Sequence, residues 1–250
     1  MELRDNDPVA VAAVDAIHQG DLGALGSLLA EHRELAGARI RDAKAGTQSL
    51  LHVVAGWPGY FPRGPEVVRV LIDAGADPSA AVTGSWHAET PLHWAASSDD
   101  AEVAAALIDG GADIQAGGAS IAGGTPLDDA VGYGCWHVAR LLVERGAPVQ
   151  QLWHAAALGM TGRVEELLGS DPPPTQEEID QAFWQACHGG QLRTAEFLLA
   201  RGADINAIPD YAESTPLDVA PGPDTRREAV VSWLREHGAR SAKDKPAEKA

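Results

Sequence analysis

Short apolar segments with helical spacing recur along the chain, and each is followed by a glycine and a polar stretch. Residues 103–108 read Val-Ala-Ala-Ala-Leu-Ile, and residues 138–142 read Val-Ala-Arg-Leu-Leu. This spacing predicts one amphipathic helix for each segment. Gly111 and Gly146 follow the two segments, at the place where a left-handed residue commonly ends a helix. The pattern therefore predicts short helices that end in glycine turns.

A second type of segment begins with Thr-Pro. It occurs three times in near-identical form, at residues 90–96, 125–130 and 215–220. The Thr hydroxyl can accept a hydrogen bond from a backbone N–H of the first helical turn, and Pro suits the first helical position because its missing N–H would be unpaired there. The leucine and alanines that follow form a narrow apolar face. Each phrase therefore predicts the start of a helix that packs closely against its neighbours.

The two types of segment alternate at a nearly constant pitch. Gly75, Gly111 and Gly146 are 36 and 35 residues apart, and Gly202 and Gly238 are again 36 apart. Self-similarity at this pitch indicates a solenoid, in which one supersecondary unit repeats and stacks on its neighbours.

The repeated phrases also resemble a known family. Residues 90–113 begin with Thr-Pro-Leu-His-Trp-Ala-Ala and end with Leu-Ile-Asp-Gly-Gly-Ala-Asp, which closely resembles the ankyrin repeat. The resemblance implies an all-α ankyrin-repeat solenoid of about seven helix-turn-helix units with short β-hairpin fingers. We expect the solenoid over residues 8–239, with degenerate outer units. Residues 1–7 would form an N-terminal extension, and residues 240–250 a disordered, charged tail.

The charge balance and the absence of targeting segments narrow the expected partners. The formal net charge is −17, which argues against nucleic acid and anionic membrane surfaces. It favours a protein partner that is neutral or basic. No apolar run approaches the roughly 18 residues that a membrane-spanning helix needs, and the first residues show no signal-peptide pattern. With two cysteines in different repeats, these features predict a cytoplasmic monomer, and the richness in Ala, Gly and Arg indicates a bacterial source.

Histidine occupies the fourth place of three start phrases, as His52, His93 and His154. The resemblance implies that this histidine is structural and bridges backbone groups of neighbouring loops. Successive histidines are separated by a whole repeat, too far to reach one zinc ion at about 2 Å each. The sequence therefore predicts no metal site and no cofactor. Asp128 and Asp218 replace the histidine in two repeats, where we expect local hydrogen bonds near the helix start.

The candidate binding residues follow from the resemblance, which implies a concave surface built from finger tips and the ends of the inner helices. An insertion at residues 58–64 lies at the edge of this surface. Exposed aromatic side chains are common anchors of recognition. The candidate groove residues are Trp57, Tyr60, Phe61, Trp86, His87, Tyr133, His188 and Tyr211. The alternative that Trp57 and Trp86 merely pack finger against finger stays open at this point.

Two functions are compatible with this surface. The first is a non-catalytic module that binds a protein partner through the concave groove. The alternative is a binder of a small apolar ligand, or an atypical enzyme with an aromatic and histidine-lined pocket in the same face. His87 or His188 would be its acid–base group. The chain contains no recognisable nucleophile elbow, phosphate loop, dinucleotide fingerprint or metal-ligand spacing. The sequence thus favours the interaction module over an enzyme.

Overall fold

The structure is a computed structural model that describes residues 1–42, 46–85 and 87–244. In these ranges the chain forms fourteen α-helices in seven consecutive pairs and one short 3₁₀ turn. The chain divides into two compact units, residues 1–147 and residues 148–250, which are described separately below. The prediction of about seven helix-turn-helix units is confirmed.

The first unit contains four helix pairs and three short strands. The strands are β1 (Glu2–Arg4), β2 (Arg39–Asp42) and β3 (Gly46–Ser49). The helices are α1 (Pro8–Gln19), α2 (Leu22–Glu31), α3 (Leu50–Ala55), α4 (Gly64–Asp73), α5 (Pro91–Ser97), α6 (Ala101–Asp109), α7 (Pro126–Gly132) and α8 (Trp136–Glu144).

The second unit contains the other three pairs. Its helices are α9 (Leu152–Ala157), α10 (Thr161–Leu168), α11 (Gln176–His188), α12 (Leu192–Leu199), α13 (Pro216–Val219) and α14 (Thr225–Glu236), followed by a 3₁₀ turn at Ala242–Asp244. Its core is formed around Phe183 and Leu198, which are fully buried.

The Thr-Pro phrases start helices as predicted. Thr90, Thr125 and Thr215 each have extended backbone immediately before α5, α7 and α13, and a proline takes the first helical position in each case. The glycine turns also form where expected. Gly111 and Gly146 have φ angles of 94° and 96°, a region in which a side chain would be strained. A β-carbon at either position would touch nothing, so the backbone conformation alone selects glycine.

One finger of the first unit is a true β-hairpin. Strands β2 and β3 pair antiparallel, with Ile40 opposite Gln48. The backbones of Thr47 and Thr83 exchange two hydrogen bonds, of 2.8 and 3.2 Å, which link this hairpin to the following finger. In the finger at residues 116–124, backbone hydrogen bonds close a turn without forming named strands. The fold is thus the predicted helical solenoid, with strand structure concentrated at its first finger.

Both ends of the chain contain short structured segments. Strand β1 lies within the predicted N-terminal extension and pairs parallel with β2. At the other end, the Ala242 N–H donates to the Asp218 carboxylate at 2.8 Å, at the start of the 3₁₀ turn Ala242–Asp244. Residues 245–250 lie outside the described part.

Across residues 1–42, 46–85 and 87–244, no helix combines the length and the apolar character that crossing a bilayer requires.

Candidate functional site

Two of the start-phrase histidines, His52 and His93, bridge neighbouring fingers. Nδ1 of His52 accepts from the Ser49 backbone N–H at 3.2 Å and lies 2.8 Å from the Ser49 hydroxyl. Because a backbone N–H can only donate, Nδ1 carries no proton and the Nε2–H donates to the Glu89 carbonyl at 3.1 Å. His93 repeats the arrangement with Thr90 and Gly124, the latter at 3.5 Å. The predicted bridging role is confirmed for these two residues.

Burial keeps both histidines neutral. It lowers the pKa of His52 and of His93 to about 4, although the hydrogen bonds to the Glu89 and Gly124 carbonyls act in the opposite direction. At neutral pH neither ring holds a second proton to donate. They position the fingers and do not act as acids.

The aspartates that replace histidine keep its hydrogen bonds to the threonine at the helix start but cannot donate to the next finger. The Thr125 N–H and hydroxyl both donate to Asp128 Oδ2 at 2.7 Å. Thr215 makes the same pair of bonds to Asp218, at 3.2 and 2.8 Å. The predicted local hydrogen bonds at the helix start are confirmed. A carboxylate has no N–H, so the donation to the next finger is specific to histidine.

The insertion at residues 58–64 is held on both sides. The Phe61 ring stacks on His18 of α1, with centroids 4.3 Å apart and planes inclined by 19°. The Tyr60 N–H donates to the Asp100 carboxylate at 2.7 Å, and the Tyr60 hydroxyl donates to the Asp99 carbonyl at 2.5 Å. The two aromatic residues therefore tie the insertion to the repeats before and after it.

Trp57 and Tyr133 come together around one open cleft in the first unit. The cleft has a volume of about 620 Å³. It is lined by Trp57, Glu89, Trp94, Ser97, Ser98, Ser120 and Tyr133. Trp57 is 86% exposed and Tyr133 is 53% exposed. Tyr60, Phe61 and His87 do not line this cleft.

Trp94 is the lining residue that sequence reasoning missed. Its indole lies over Gly56, where a β-carbon would come within 3.2 Å of the ring, and it meets His52 edge to face at 4.9 Å. The indole N–H donates to Glu89 Oε2 at 3.1 Å. Trp94 occupies the variable fifth place of the start phrase Thr-Pro-Leu-His-x-Ala-Ala. A large aromatic residue at that place was the available signal.

A buried carboxylate lies behind the cleft. The Ser120 hydroxyl donates to Asp129 Oδ1 at 2.9 Å, and the Ile121 N–H donates to the same oxygen at 3.1 Å. Asp129 is fully buried, and its Oδ2 has no hydrogen-bond partner within the part of the chain that the structure describes. Burial raises the pKa of Asp129 to about 6, although the two hydrogen bonds act in the opposite direction.

The remaining candidates are not gathered at this cleft. His87 is exposed in a finger of the first unit, and Trp86 lies outside the described residues. In the second unit, Tyr211 meets Trp184 edge to face at 6.0 Å, and its hydroxyl accepts from Gln185 at 3.4 Å. It lines a separate hollow of about 370 Å³ with acidic walls, formed by Glu177, Asp180 and Asp210 among others.

Burial sets the protonation states of His188 and of its neighbour Cys187. His188 lies 5.2 Å from the Trp184 ring, and burial lowers its pKa to about 4. Cys187 is fully buried, which raises the pKa of its thiol far above neutrality. Among the described residues, no group of three or more His, Cys, Asp or Glu side chains is placed to hold a metal ion.

These features define a repeat solenoid whose first unit carries an open cleft lined by aromatic side chains. Ankyrin-repeat family models match residues 51–151 as three copies and residues 182–210 as one repeat. Together the matches cover more than half of the 250 residues. The chain belongs to the ankyrin-repeat family.

One curated relative is the B-cell lymphoma 3 protein homolog of Mus musculus. The chain is 30% identical to it over 193 residues, which is 71% of this chain and 41% of that protein. The chain thus spans about two fifths of the length of this relative.

Two solved ankyrin domains are similar in structure. The human ASB11 ankyrin repeat domain gives a TM-score of 0.50 at 19% identity, over 97% of this chain and 100% of that one. The ankyrin repeat domain of Bcl-3, described as a unique member of the IkappaB protein family, gives 0.49 at 26% identity, over 92% and 99%. The likeness to the ASB11 domain shows the fold.

Proposed function

We propose that this protein is a non-catalytic interaction module whose partner docks on the cleft lined by Trp57, Trp94 and Tyr133. The observation that supports this most is the 86% exposure of Trp57 beside a half-exposed Tyr133. An indole that is so exposed adds little to the stability of the free protein. Covered by a partner, it would bury a large apolar area at low entropic cost, which is how tryptophan and tyrosine anchor interfaces.

The acidity of the chain supports a neutral or basic partner. The net charge is −17, and Glu89 is the charged residue in the lining of the cleft. Complementary charge speeds association and disfavours acidic competitors. A cytoplasmic setting is part of the proposal, since Cys135 and Cys187 are both buried, free thiols.

A small apolar ligand is the second candidate, because a volume of about 620 Å³ falls within the usual range for ligand sites. The catalytic version of this idea has less support. His188 belongs to the second unit, and the cleft is lined by hydroxyls, one carboxylate and aromatic rings.

A pair of surface variants tests the docking site. Trp57→Ala removes the anchor, and Val11→Ala removes an exposed apolar side chain on α1, away from the cleft. Neither should change the free energy of unfolding by more than about 0.5 kcal/mol. A photo-crosslinking amino acid at position 57, and another at position 11, would be used in the cells that produce the protein.

The proposal expects a protein crosslinked from position 57 and not from position 11. The purified partner should bind the Trp57→Ala variant at least tenfold more weakly than the Val11→Ala variant, in the range of an interface hot spot. A partner that binds both variants equally would exclude this cleft as the docking site. A small molecule retained in native mass spectrometry, and lost with Trp57→Ala, would favour the second candidate instead.

A further inference from the structure

We infer that the cleft binds an arginine side chain of the partner. This inference rests on the proposed function and specifies the chemistry of the group that enters. It is carried by the direction of the hydrogen bonds made by the lining hydroxyls, by the carboxylate of Glu89 and by the aromatic rings.

The hydroxyl groups that line the cleft donate their hydrogen bonds to acceptors within the protein. Ser97 donates to the His93 carbonyl at 3.0 Å, and Ser98 donates to the Ala55 carbonyl at 3.2 Å. Carbonyl oxygens can only accept, so the direction of these two bonds is fixed.

Ser120 and Tyr133 also donate their hydroxyl protons within the protein. Ser120 donates its proton to the Asp129 carboxylate at 2.9 Å. The Tyr133 hydroxyl lies 2.9 Å from the Ser120 oxygen, and it must be the donor there because the Ser120 proton is already used. These four hydroxyl groups can therefore interact with a ligand as hydrogen-bond acceptors, through their oxygen lone pairs.

The remaining polar groups of the lining agree with this orientation. The Trp94 N–H is directed to Glu89 Oε2. A carboxylate has about four acceptor positions, so this single bond leaves Glu89 able to accept more. The cleft therefore presents a set of acceptors with one negative charge. The ligand group that complements this cleft is a cation that donates hydrogen bonds and accepts none.

Two positive side chains have that property, and the aromatic rings favour arginine. A guanidinium group has five N–H donors in a fixed plane and stacks on aromatic faces, whereas the lysine ammonium is a compact, strongly hydrated point charge. Indoles attract cations more strongly than other aromatic rings do. Trp57 and Trp94, with Tyr133, supply flat surfaces beside acceptors that are spread over the cleft.

The test uses a minimal probe and its neutral isostere. N-acetyl-arginine-N-methylamide would be titrated into the full chain at neutral pH and low salt, followed by the tryptophan indole N–H signals in NMR. N-acetyl-citrulline-N-methylamide has nearly the same shape without the charge. We expect the arginine probe to shift the Trp57 and Trp94 signals and to bind about tenfold more tightly than the citrulline probe. The corresponding lysine probe should lie between them.

Matched acid-to-amide variants separate the cleft from general acidity. Glu89→Gln keeps an oxygen for the Trp94 N–H and removes the charge, whereas Glu144→Gln removes an exposed charge at the end of α8. The inference expects Glu89→Gln to weaken the arginine probe about tenfold and Glu144→Gln to leave its affinity unchanged within twofold.

Equal binding of the arginine and citrulline probes would overturn the inference, and so would equal losses in the two variants. If either result were found and the partner still bound the Trp57→Ala variant more weakly, the proposed function would hold, but the partner would not use an arginine in the cleft. If the arginine probe bound at the cleft but the partner bound the Trp57→Ala variant normally, the proposed function would be overturned and the cleft would remain a cation-binding site.

Discussion

Ser120 donates its hydroxyl proton to the fully buried carboxylate of Asp129 at 2.9 Å, and this bond fixes the direction of the hydrogen bond between Ser120 and Tyr133 in the cleft. It leaves the Ser120 oxygen to accept from Tyr133. The carboxylate is costly to bury, because its Oδ2 has no hydrogen-bond partner among the described residues. The bond thus links the lining of the cleft to a buried carboxylate that is costly to the folded state.

The first prediction concerns the pH dependence of stability at Asp129. Burial raises the pKa of this carboxyl to about 6, whereas in the unfolded chain it is about 3.9. Between these values the folded state binds a proton that the unfolded state does not. The contribution of Asp129 to stability is therefore present at low pH and is lost as the pH rises from about 4 to about 6.

Asp129→Asn should remove this loss while keeping the Oδ1 acceptor for Ser120 and Ile121. In urea titrations at pH 4.5 and pH 7, the change in the free energy of unfolding between the two pH values should differ from that of the parent by about 2 kcal/mol, in favour of the variant at pH 7. Glu144→Gln changes an exposed carboxyl, and the stability of this variant should depend on pH as that of the parent does. Parallel profiles for Asp129→Asn and the parent would contradict the assignment.

The second prediction concerns the two bridging histidines, whose effect has the opposite sign. Burial lowers the pKa of His52 and of His93 to about 4, below the unfolded value of about 6.5. The unfolded chain therefore takes up these protons first, and stability is lost as the pH falls from about 6.5 to about 4.

His93→Gln should flatten the acid limb of the stability profile and lower stability at pH 7 by about 1–3 kcal/mol, since it removes the ring that joins Thr90 to Gly124. The measurement is urea denaturation in steps from pH 7 to pH 4.5. His87→Gln, at an exposed finger position, serves as the control and should leave the profile unchanged. An unchanged acid limb in His93→Gln would show that this ring titrates alike in both states.

The helical part of the fold could be predicted from the sequence because its signals are local. Thr90 followed by Pro91 determines a helix start within one turn, and Gly111 ends the next helix through its own backbone angle. The parallel pairing of β1 with β2 depends on residues more than thirty positions apart. No phrase in residues 1–7 indicates it.

The candidate site was predicted less completely because its chemistry depends on orientation. Trp57 and Tyr133 were found as aromatic residues at helix ends, and they do line one cleft. Trp94 was missed because it lies within a Thr-Pro phrase whose residues were all assigned to the start of a helix. The direction of the Ser97 and Ser98 hydroxyls follows from the positions of carbonyls in α5 and α3, which the sequence does not give. Whether these residues bind a partner stays a prediction.

The third prediction concerns the start of α7. Asp128 accepts from both the N–H and the hydroxyl of Thr125, in the place of a histidine. Asp128→Ala should lower the free energy of unfolding by about 1–2 kcal/mol, the usual cost of a lost helix cap. Asp128→Asn keeps one acceptor oxygen and should cost less than half of that. Thermal and urea denaturation would rank the two, and an equal cost would show that the charge, and not the acceptor, matters.

The last prediction concerns Asp100, which links the insertion to the next repeat. Its Oδ2 accepts from the Tyr60 N–H at 2.7 Å, and its Oδ1 caps α6 by accepting from the Val103 N–H at 3.1 Å. Asp100 is 1% exposed. Asp100→Ala leaves both donors without this acceptor and should lower the free energy of unfolding by about 2–3 kcal/mol.

Asp100→Ser separates the two roles of this carboxylate. A serine hydroxyl suits the cap of α6 but is too short to keep both bonds, so we expect about half of the lost stability to return. Hydrogen exchange distinguishes the outcomes at single amides. The Tyr60 amide should exchange faster in both variants, whereas the Val103 amide should regain protection in Asp100→Ser. Protection of the Tyr60 amide in Asp100→Ala would show that the stacking of Phe61 on His18 holds the insertion without the carboxylate.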